Sequence, residues 1–417
     1  MLKIISLVVA LLTSVSAAQA SQVSDSRHYS NQTPYGNPSS TPIMQPPSGY
    51  ELVLLETIGR HGSRSQTSDD GERRALSVWR AASRKGALTK NGKRFDDDLA
   101  AFQKVERRVG YGKLSAIGAI EWSGIGRRTA ANYREFWNRA VAAGDAVAFT
   151  SSPIHRTKQS SAALRSGLDA AAPGLDLQPR ATDPGLLVVN GSTAAGRAAI
   201  KRAHRTNAVR RAADHVLRRL YTRRYVDGLT NPVGKALDIY SLYSIAPGLR
   251  GETALTFSRY VPVADAKVLG YAKDAKNFYR YGPGVAGQTN SYRQVRPLLQ
   301  DFFAQIDQRL AGGRTAAVFR IGHGETTMPF AALIKAPGSQ TQVPRNRTYS
   351  YGSNPWRGFV AGRMAGNIEW ALYRDASGDA LVTMRYNEQP AKFSSRCSPM
   401  SPGSYFYSVS SLKRCLG

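Results

Sequence analysis

The chain has 417 residues, with 57 Lys and Arg against 29 Asp and Glu, a formal net charge of +28. That length can bury a sizeable core, and 42% apolar with 9% aromatic residues exclude a disordered tail or a collagen-like fibre. Two cysteines exclude a disulfide-dense scaffold and a cysteine-rich zinc module, while the charge points to anionic partners: nucleic acid, a membrane surface or a small polyanion.

In chain order, Met1-Leu2-Lys3 and the apolar run Ile4 to Leu12 precede Ala18-Gln19-Ala20, the pattern of a cleavable secretory signal over 1–20. The run is too short to span a bilayer, so the pattern predicts a secreted or periplasmic protein with no membrane segment after cleavage. Export in turn predicts a bridge between Cys397 and Cys415, two unpaired thiols being the alternative. Residues 21–48, rich in Ser, Pro, Asn, Gln and Gly, read as a linker or loosely packed N-terminal arm.

Glu51 to Ile58, Ala146 to Thr150 and Thr315 to Ile321 are short apolar runs that read as buried strands, each followed by a polar loop. Helical patterns follow the second, over Thr157 to Leu168, and the third, over Thr326 to Ile334. This alternation predicts a layered α/β domain with a largely parallel sheet, whose strand C-termini converge on one edge. Arg197 to Arg224 carries ten Lys and Arg, with Val209, Ala213, Val216, Leu217 and Leu220 at helical spacing. Further helical patterns run over Pro232 to Tyr243, Ala264 to Tyr281 and Tyr292 to Leu310. They define a mainly helical insertion, 190–310, between two parts of the α/β domain, 49–189 and 311–417. Asn367 to Tyr373 and Ala380 to Asn387 flank a Ser-Gly-Asp turn and read as a hairpin.

Three strand-end loops carry the chemistry. The first is Gly59-Arg60-His61-Gly62-Ser63-Arg64, two arginines around a histidine between glycines that let a backbone approach closely. The second, Ser151-Ser152-Pro153-Ile154-His155-Arg156-Thr157, adds a third arginine; the third, Gly322-His323-Gly324-Glu325-Thr326, brings a histidine and a carboxylate to a helix start. Guanidinium forks suit phosphate oxygens, so the set describes a positive pocket with one nucleophile and one proton donor.

Arg60-His61-Gly62-Ser63-Arg64 resembles the signature of the histidine phosphatase superfamily, clan two, the histidine acid phosphatases. His323-Gly324-Glu325 is similar to the His-Ala-Glu of the multiple inositol polyphosphate phosphatases, where most of the clan has His-Asp. Tyr271 to Gly284, Leu298 to Phe303 and Val382 to Pro390 resemble blocks of that subfamily. The resemblance implies a phosphoglycerate-mutase-like layered α/β domain with a mainly parallel sheet and an inserted α-helical domain. It implies a phytase that hydrolyses inositol hexakisphosphate and lower inositol phosphates without metal or cofactor. His61 would be the nucleophile, passing through a phosphohistidine. Arg60, Arg64, Arg156 and His323 would hold the equatorial oxygens, and Glu325 would be the proton donor.

From the insertion, Lys273, Lys276, Arg280 and Arg293 are candidates to place cations above the pocket. The Arg197 to Arg224 run reads either as a solvated face or as a surface turned to substrate. His155 is read as packing or pocket lining, and His28, His204 and His215 as structural or solvated. Two positions depart from the family pattern: Gln66 stands where proline is usual, and Gly324 where alanine is. The competing readings are a broad-specificity histidine acid phosphatase and a catalytically degenerate basic protein that binds polyanions. Nucleic-acid modules with interleaved aromatics are absent, so no nucleic-acid partner is expected. Asn31-Gln-Thr, Asn190-Gly-Ser and Asn346-Arg-Thr match the glycosylation acceptor pattern.

Overall fold

Strand β1 (Glu51–Arg60) shows how the apolar runs become a sheet buried on both faces. Leu54 and Ile58 enter one core while Leu55 enters the other, as alternation requires; an irregularity between Leu52 and Leu54 turns Leu52 to join Leu55. The computed structural model describes residues 26–189, 191 and 193–417, so the signal pattern and the Asn190 acceptor lie outside the described residues.

The other strands are β2 (Ala146–Ser151), β3 (Asp176–Leu177), β4 (Ala181–Thr182), β5 (Thr315–Gly322), β6 (Asn367–Arg374), β7 (Ala380–Tyr386), β8 (Gln389–Ala391) and β9 (Tyr407–Ser408). The sheet order is β3-β2-β5-β1-β6-β7-β8, with β4 on β2 and β9 on β7. It is parallel from β3 through β1 and antiparallel beyond, where β6 and β7 form the expected hairpin.

The helices include, in chain order, α1 (Asp70–Arg84), α2 (Lys90–Val109), α3 (Ala116–Asn132), α4 (His155–Ala171), α5 (Ala194–His204), α6 (Asn207–Leu220), α7 (Pro232–Ile245), α8 (Val263–Tyr281), α9 (Arg296–Leu310), α10 (Gly324–Leu333) and α11 (Val409–Leu416). Trp122 and Ile125 of α3 and Leu164 and Leu168 of α4 cover one face of the sheet. Phe302 and Ile306 of α9 and Phe330 of α10 cover the other. Within that second layer Arg320 is buried under Phe302 and donates to Glu56 at 2.8 Å and Asp301 at 2.5 Å.

A separate helical core joins Phe95, Leu99 and Phe102 of α2 to Val216, Leu217 and Leu220 of α6 and Ile239 of α7. The helical layer therefore extends beyond the 190–310 insertion and includes α1 and α2, two helices that the apolar runs had not marked. In α6, the Thr206 side chain caps Val209 N–H, and Val209, Ala212, Ala213, Val216, Leu217 and Leu220 are buried at spacings of one to four. Arg197, Arg202, Arg205, Arg210, Arg211, Arg223 and Arg224 are exposed, which makes the basic run mostly a solvated face.

The arm is not a loose linker. Ser26–Gln32 is a 3-10 segment, and His28, Ser30, Thr33 and Tyr35 are buried. Its anchors are polar, which is why its low hydrophobicity misleads. Ser30 Oγ donates to Asp274 of α8, and Tyr240 Oη of α7 donates to the His28 carbonyl at 2.7 Å. Ser30 holds φ 54 and ψ −139, a conformation suited to glycine, while Thr33 N–H and Oγ donate to its carbonyl at 3.2 and 2.8 Å. His204 meets the Ala272 carbonyl at 3.1 Å and His215 meets Asp265 at 2.6 Å, the structural roles expected of them.

Cys397 and Cys415 form the expected disulfide, which fastens the tail where β9 pairs with β7. Reducing this bridge, whose cysteines are 18 residues apart, is expected to lower the unfolding free energy by about 3 kcal/mol. Urea titrations with and without reductant measure it, and turnover per folded molecule should stay unchanged.

Candidate active site

Arg60, the last residue of β1, pairs with Gly322 of β5, and Ser151 of β2 pairs with Ile321. The three strands therefore end level, and the three motif loops leave the sheet together at its C-terminal edge, the crevice where open α/β sheets bind ligands.

His61 is buried, its N–H donating to the Gly322 carbonyl at 3.0 Å. Its Nδ1 lies 2.9 Å from the Gly62 carbonyl. A carbonyl only accepts, so Nδ1 carries the proton and Nε2 keeps its lone pair. Burial first, then Arg60, Arg64, Arg156 and His323, hold the His61 pKa well below the ordinary histidine value. The arginines act in the expected direction, but desolvation is the larger cause.

Each arginine is held by one terminal nitrogen. Arg60 Nη1 donates to the carbonyls of Asn31, in the arm, and Gly362. Arg64 Nη1 donates to the Ser65 carbonyl at 2.6 Å, and Arg156 Nη2 donates to His323 Nδ1 at 3.3 Å. The Nε atoms of all three are buried and meet no partner among the described residues. Burial drags the Arg60 pKa down to about 10, with Glu325 opposing. Burial, then Arg60 and Arg156, bring Arg64 to about 9. Three guanidinium groups in one recess, each with a hidden donor, form a site for an anion of high charge density.

His323 has both ring nitrogens engaged, Nδ1 with Arg156 and Nε2 with Ser152 Oγ at 2.8 Å. Its ring centroid lies 5.6 Å from that of His61. Burial and then Arg156 lower its pKa to about 4. In this arrangement His323 braces Arg156, and an equatorial oxygen reaches it only if that contact is released. Burial raises the Glu325 pKa, but Arg60, His323, a backbone N–H and Arg64 pull the other way and win, so the carboxyl is held below its ordinary range.

Below the nucleophile loop, Glu121 of α3 accepts from Ser63 N–H at 2.7 Å, Ser63 Oγ at 2.8 Å and Tyr35 N–H at 2.7 Å. One carboxylate thus ties the loop to the arm. A side chain at Gly62 would stand 2.6 Å from the Gly118 carbonyl, so the close approach of α3 requires glycine there. The departure at Gln66 is accommodated by two bonds that proline could not both make. Its N–H donates to Glu106 Oε2 at 2.8 Å and its Nε2 to Glu72 Oε1 at 3.0 Å.

The candidates from the helical layer separate. Burial, then the charges of Arg64 and Arg60, lower Lys273 to about 7, and its Nζ lies 5.9 Å from the centroid of the Tyr240 ring. Lys276 is lowered by burial and by Arg280. Arg280 lies over the Tyr281 ring at 5.0 Å, while Arg293 and His155 are exposed. The sequence reading missed Asn31, Glu121, Gly362 and the role of Ser152. Ser152 at least lies within a motif loop, whereas Asn31 and Gly362 act through backbone carbonyls that no side chain advertises.

Level strand ends, a neutral imidazole and three arginines whose charges act on it form a site suited to a phosphoryl group. Residues 51–387 match the model of the histidine phosphatase superfamily (branch 2), and the chain belongs to that family. Chicken multiple inositol polyphosphate phosphatase 1 is 30% identical over 142 residues, a stretch covering 31% of this chain and 30% of that protein's length. The Bifidobacterium longum multiple inositol polyphosphate phosphatase, solved with inositol hexasulfate, superposes with a TM-score of 0.89 at 28% identity, over 94% of this chain and 97% of that one. The D. castellii phytase, at 14% identity, TM-score 0.64 and coverage of 94% and 84%, shares the fold.

A Cβ at Gly324 would sit 3.3 Å from Arg60 Nε and 3.3 Å from Met328 Cε. Arg60 is clamped on two carbonyls and cannot retreat freely. Gly324→Ala is therefore expected to leave α10 no more stable, the crowding offsetting the up to about 1 kcal/mol that alanine contributes in a helix interior. It should also lower kcat on the order of three- to tenfold, which thermal unfolding and steady-state kinetics together check.

Proposed function

We propose that the protein hydrolyses phosphomonoesters of inositol polyphosphates through a phosphohistidine, releasing inorganic phosphate. The observation that carries this reading is His61: a buried neutral ring with Nδ1 committed to a carbonyl and Nε2 left as a lone pair beside three arginines. Nε2 attacks phosphorus, the ester P–O bond breaks, and the leaving alkoxide takes a proton from Glu325. The Glu325 carboxylate then accepts a proton from water, hydroxide attacks phosphorus, and the P–N bond breaks to release phosphate and restore His61. Arg60, Arg64 and Arg156 hold the equatorial oxygens, where charge stabilisation does most of the work of phosphoryl transfer.

Lys273 supports a substrate with more than one phosphate. Its amine, lowered to about 7 by burial and by the field of Arg64 and Arg60, gains a proton when a further phosphate of the same ring offsets that field. The inositol hexasulfate complex of the Bifidobacterium enzyme supports the same class of ligand. The export pattern at 1–20, together with the Cys397–Cys415 bridge, supports action outside the cytoplasm.

His61→Ala is expected to reduce turnover of inositol hexakisphosphate by about 10⁴ or more. Rapid quenching of the wild type should trap an acid-labile phosphoprotein that the variant never forms; near-normal turnover by His61→Ala would end the proposal. Lys273→Met should raise KM for inositol hexakisphosphate while sparing p-nitrophenyl phosphate. Equal effects on both would favour a broad-specificity acid phosphatase.

Binding should also move protons. The cations hold Glu325 below its ordinary range, and burial followed by Arg156 holds His323 at about 4; an anion seated among them offsets the cationic part and raises both. Near pH 5, myo-inositol hexasulfate, whose sulfates do not titrate there, should bind with net proton uptake. Calorimetry in buffers of differing ionisation enthalpy reads its size.

A further inference from the structure

Behind the third strand-end arginine lies a chain of side-chain hydrogen bonds that the proposed chemistry does not use. Ser152 and Thr157 are fully buried, and His323 is nearly so. Ser152 Oγ lies 2.8 Å from His323 Nε2 and 2.8 Å from Thr157 Oγ1. Thr157 Oγ1 in turn lies 2.9 Å from the Ser152 carbonyl and 2.8 Å from the Ile154 carbonyl. At the other end, His323 Nδ1 faces Arg156 Nη2 at 3.3 Å.

Both ends of this chain have a fixed polarity. A guanidinium can only donate, so His323 Nδ1 accepts and bears no proton. A backbone carbonyl can only accept, so Thr157 donates its hydroxyl proton to one of the two carbonyls. Thr157 Oγ1 is then left as acceptor for Ser152, and Ser152 Oγ as acceptor for His323 Nε2–H. One arrangement of protons satisfies every link, and it places the imidazole proton on Nε2. A serine with no acceptor behind it could turn its own proton toward His323; the threonine one helical turn into α4 prevents this.

We propose that Ser152 is a positioning residue: relayed to Thr157, it fixes His323 as the Nε2–H tautomer, so that the Nδ1 lone pair holds Arg156 over the phosphate site. The inference rests on the phosphohistidine reading for its kinetic consequence, but not for the tautomer itself. Its physical content is that Arg156 is placed by an acceptor whose availability depends on two hydroxyls beneath it. Unlike Arg60, Arg156 is given no backbone carbonyl as a clamp in this network, so loss of the Nδ1 acceptor frees its head group. His323 is in this view the middle of a brace.

Two measurements test it. In protein labelled with ¹⁵N-histidine, neutral His323 should show a protonated Nε2 and an unprotonated Nδ1 near pH 7. Protonation on Nδ1 would overturn the assignment whether or not the enzyme is active. In kinetics, Ser152→Ala should lower kcat on the order of tenfold and weaken orthovanadate binding in step, as expected when a group that grips the reacting phosphate is misplaced. On an Arg156→Ala background, the same substitution should cost less than about twofold, because the group it positions is gone. A full tenfold loss persisting there, or no loss in the single variant, would refute a role through Arg156. Should Ser152→Ala fail to fold, Thr157→Val probes the same relay: it should show the same loss, and Thr157→Ser, which keeps the hydroxyl, should recover it. Wild-type protein with no phosphatase activity but the Nε2–H signature would sink the functional reading and leave the tautomer standing.

Discussion

Everything at the strand ends answers one constraint: three guanidinium groups must point into a common, largely dehydrated recess before any anion arrives to neutralise them. Like charges in low dielectric repel, and burial alone lowers their affinity for protons, as the depressed pKa values of Arg60 and Arg64 record. Among the described residues no carboxylate forms an ion pair with them that would compete with a phosphate, although the charge of Glu325 acts on Arg60. The protein uses carbonyls of Asn31, Gly362 and Ser65 and one imidazole nitrogen. Neutral acceptors steady each head group and leave its charge intact.

The same constraint explains the layers. A parallel strand pair in register brings Arg60 level with Gly322, so two loops far apart in sequence meet without adjustment. The antiparallel half of the sheet supplies no motif loop, and it carries the disulfide-fastened tail. The helical layer contributes from above through α8, whose Lys273 and Asp274 face opposite duties. One lies in the field of Arg64 and Arg60; the other, fully buried, receives Ser30, Tyr351 and the Gly358 N–H and so fastens the arm.

What could be read from the residues alone follows from where the information sits. The strands and motif loops were legible because apolar runs and Gly-Arg-His clusters are side-chain signals. The tail hairpin was legible from its turn. Helices α1 and α2 contain no apolar run, and their signal lies only in the period of buried positions such as Phe95, Leu99 and Phe102. The arm was misread because its anchors are a serine in a glycine-like conformation and a set of backbone carbonyls. The basic run from Arg197 to Arg224 allowed either a solvated face or a substrate surface, and α6 turns its apolar stripe inward and leaves Arg210 and Arg211 exposed. Much of the +28 is thus spread over the surface, and the catalytic share is small.

Gln66 has a consequence for what can replace it. Its N–H is the donor that Glu106 Oε2 uses, while Glu106 Oε1 is buried and meets no partner among the described residues. A proline at 66, as the family pattern has it, would strip the carboxyl of that donor and leave both oxygens stranded, a loss on the order of 1–3 kcal/mol. Residues 66, 72 and 106 are therefore entrenched together. Placing proline at 66 while Glu72 and Glu106 stay would give a less stable protein than the present set. A design that imports the family's commonest residue at each site would meet the same loss, at a place where the borrowed residue looks harmless.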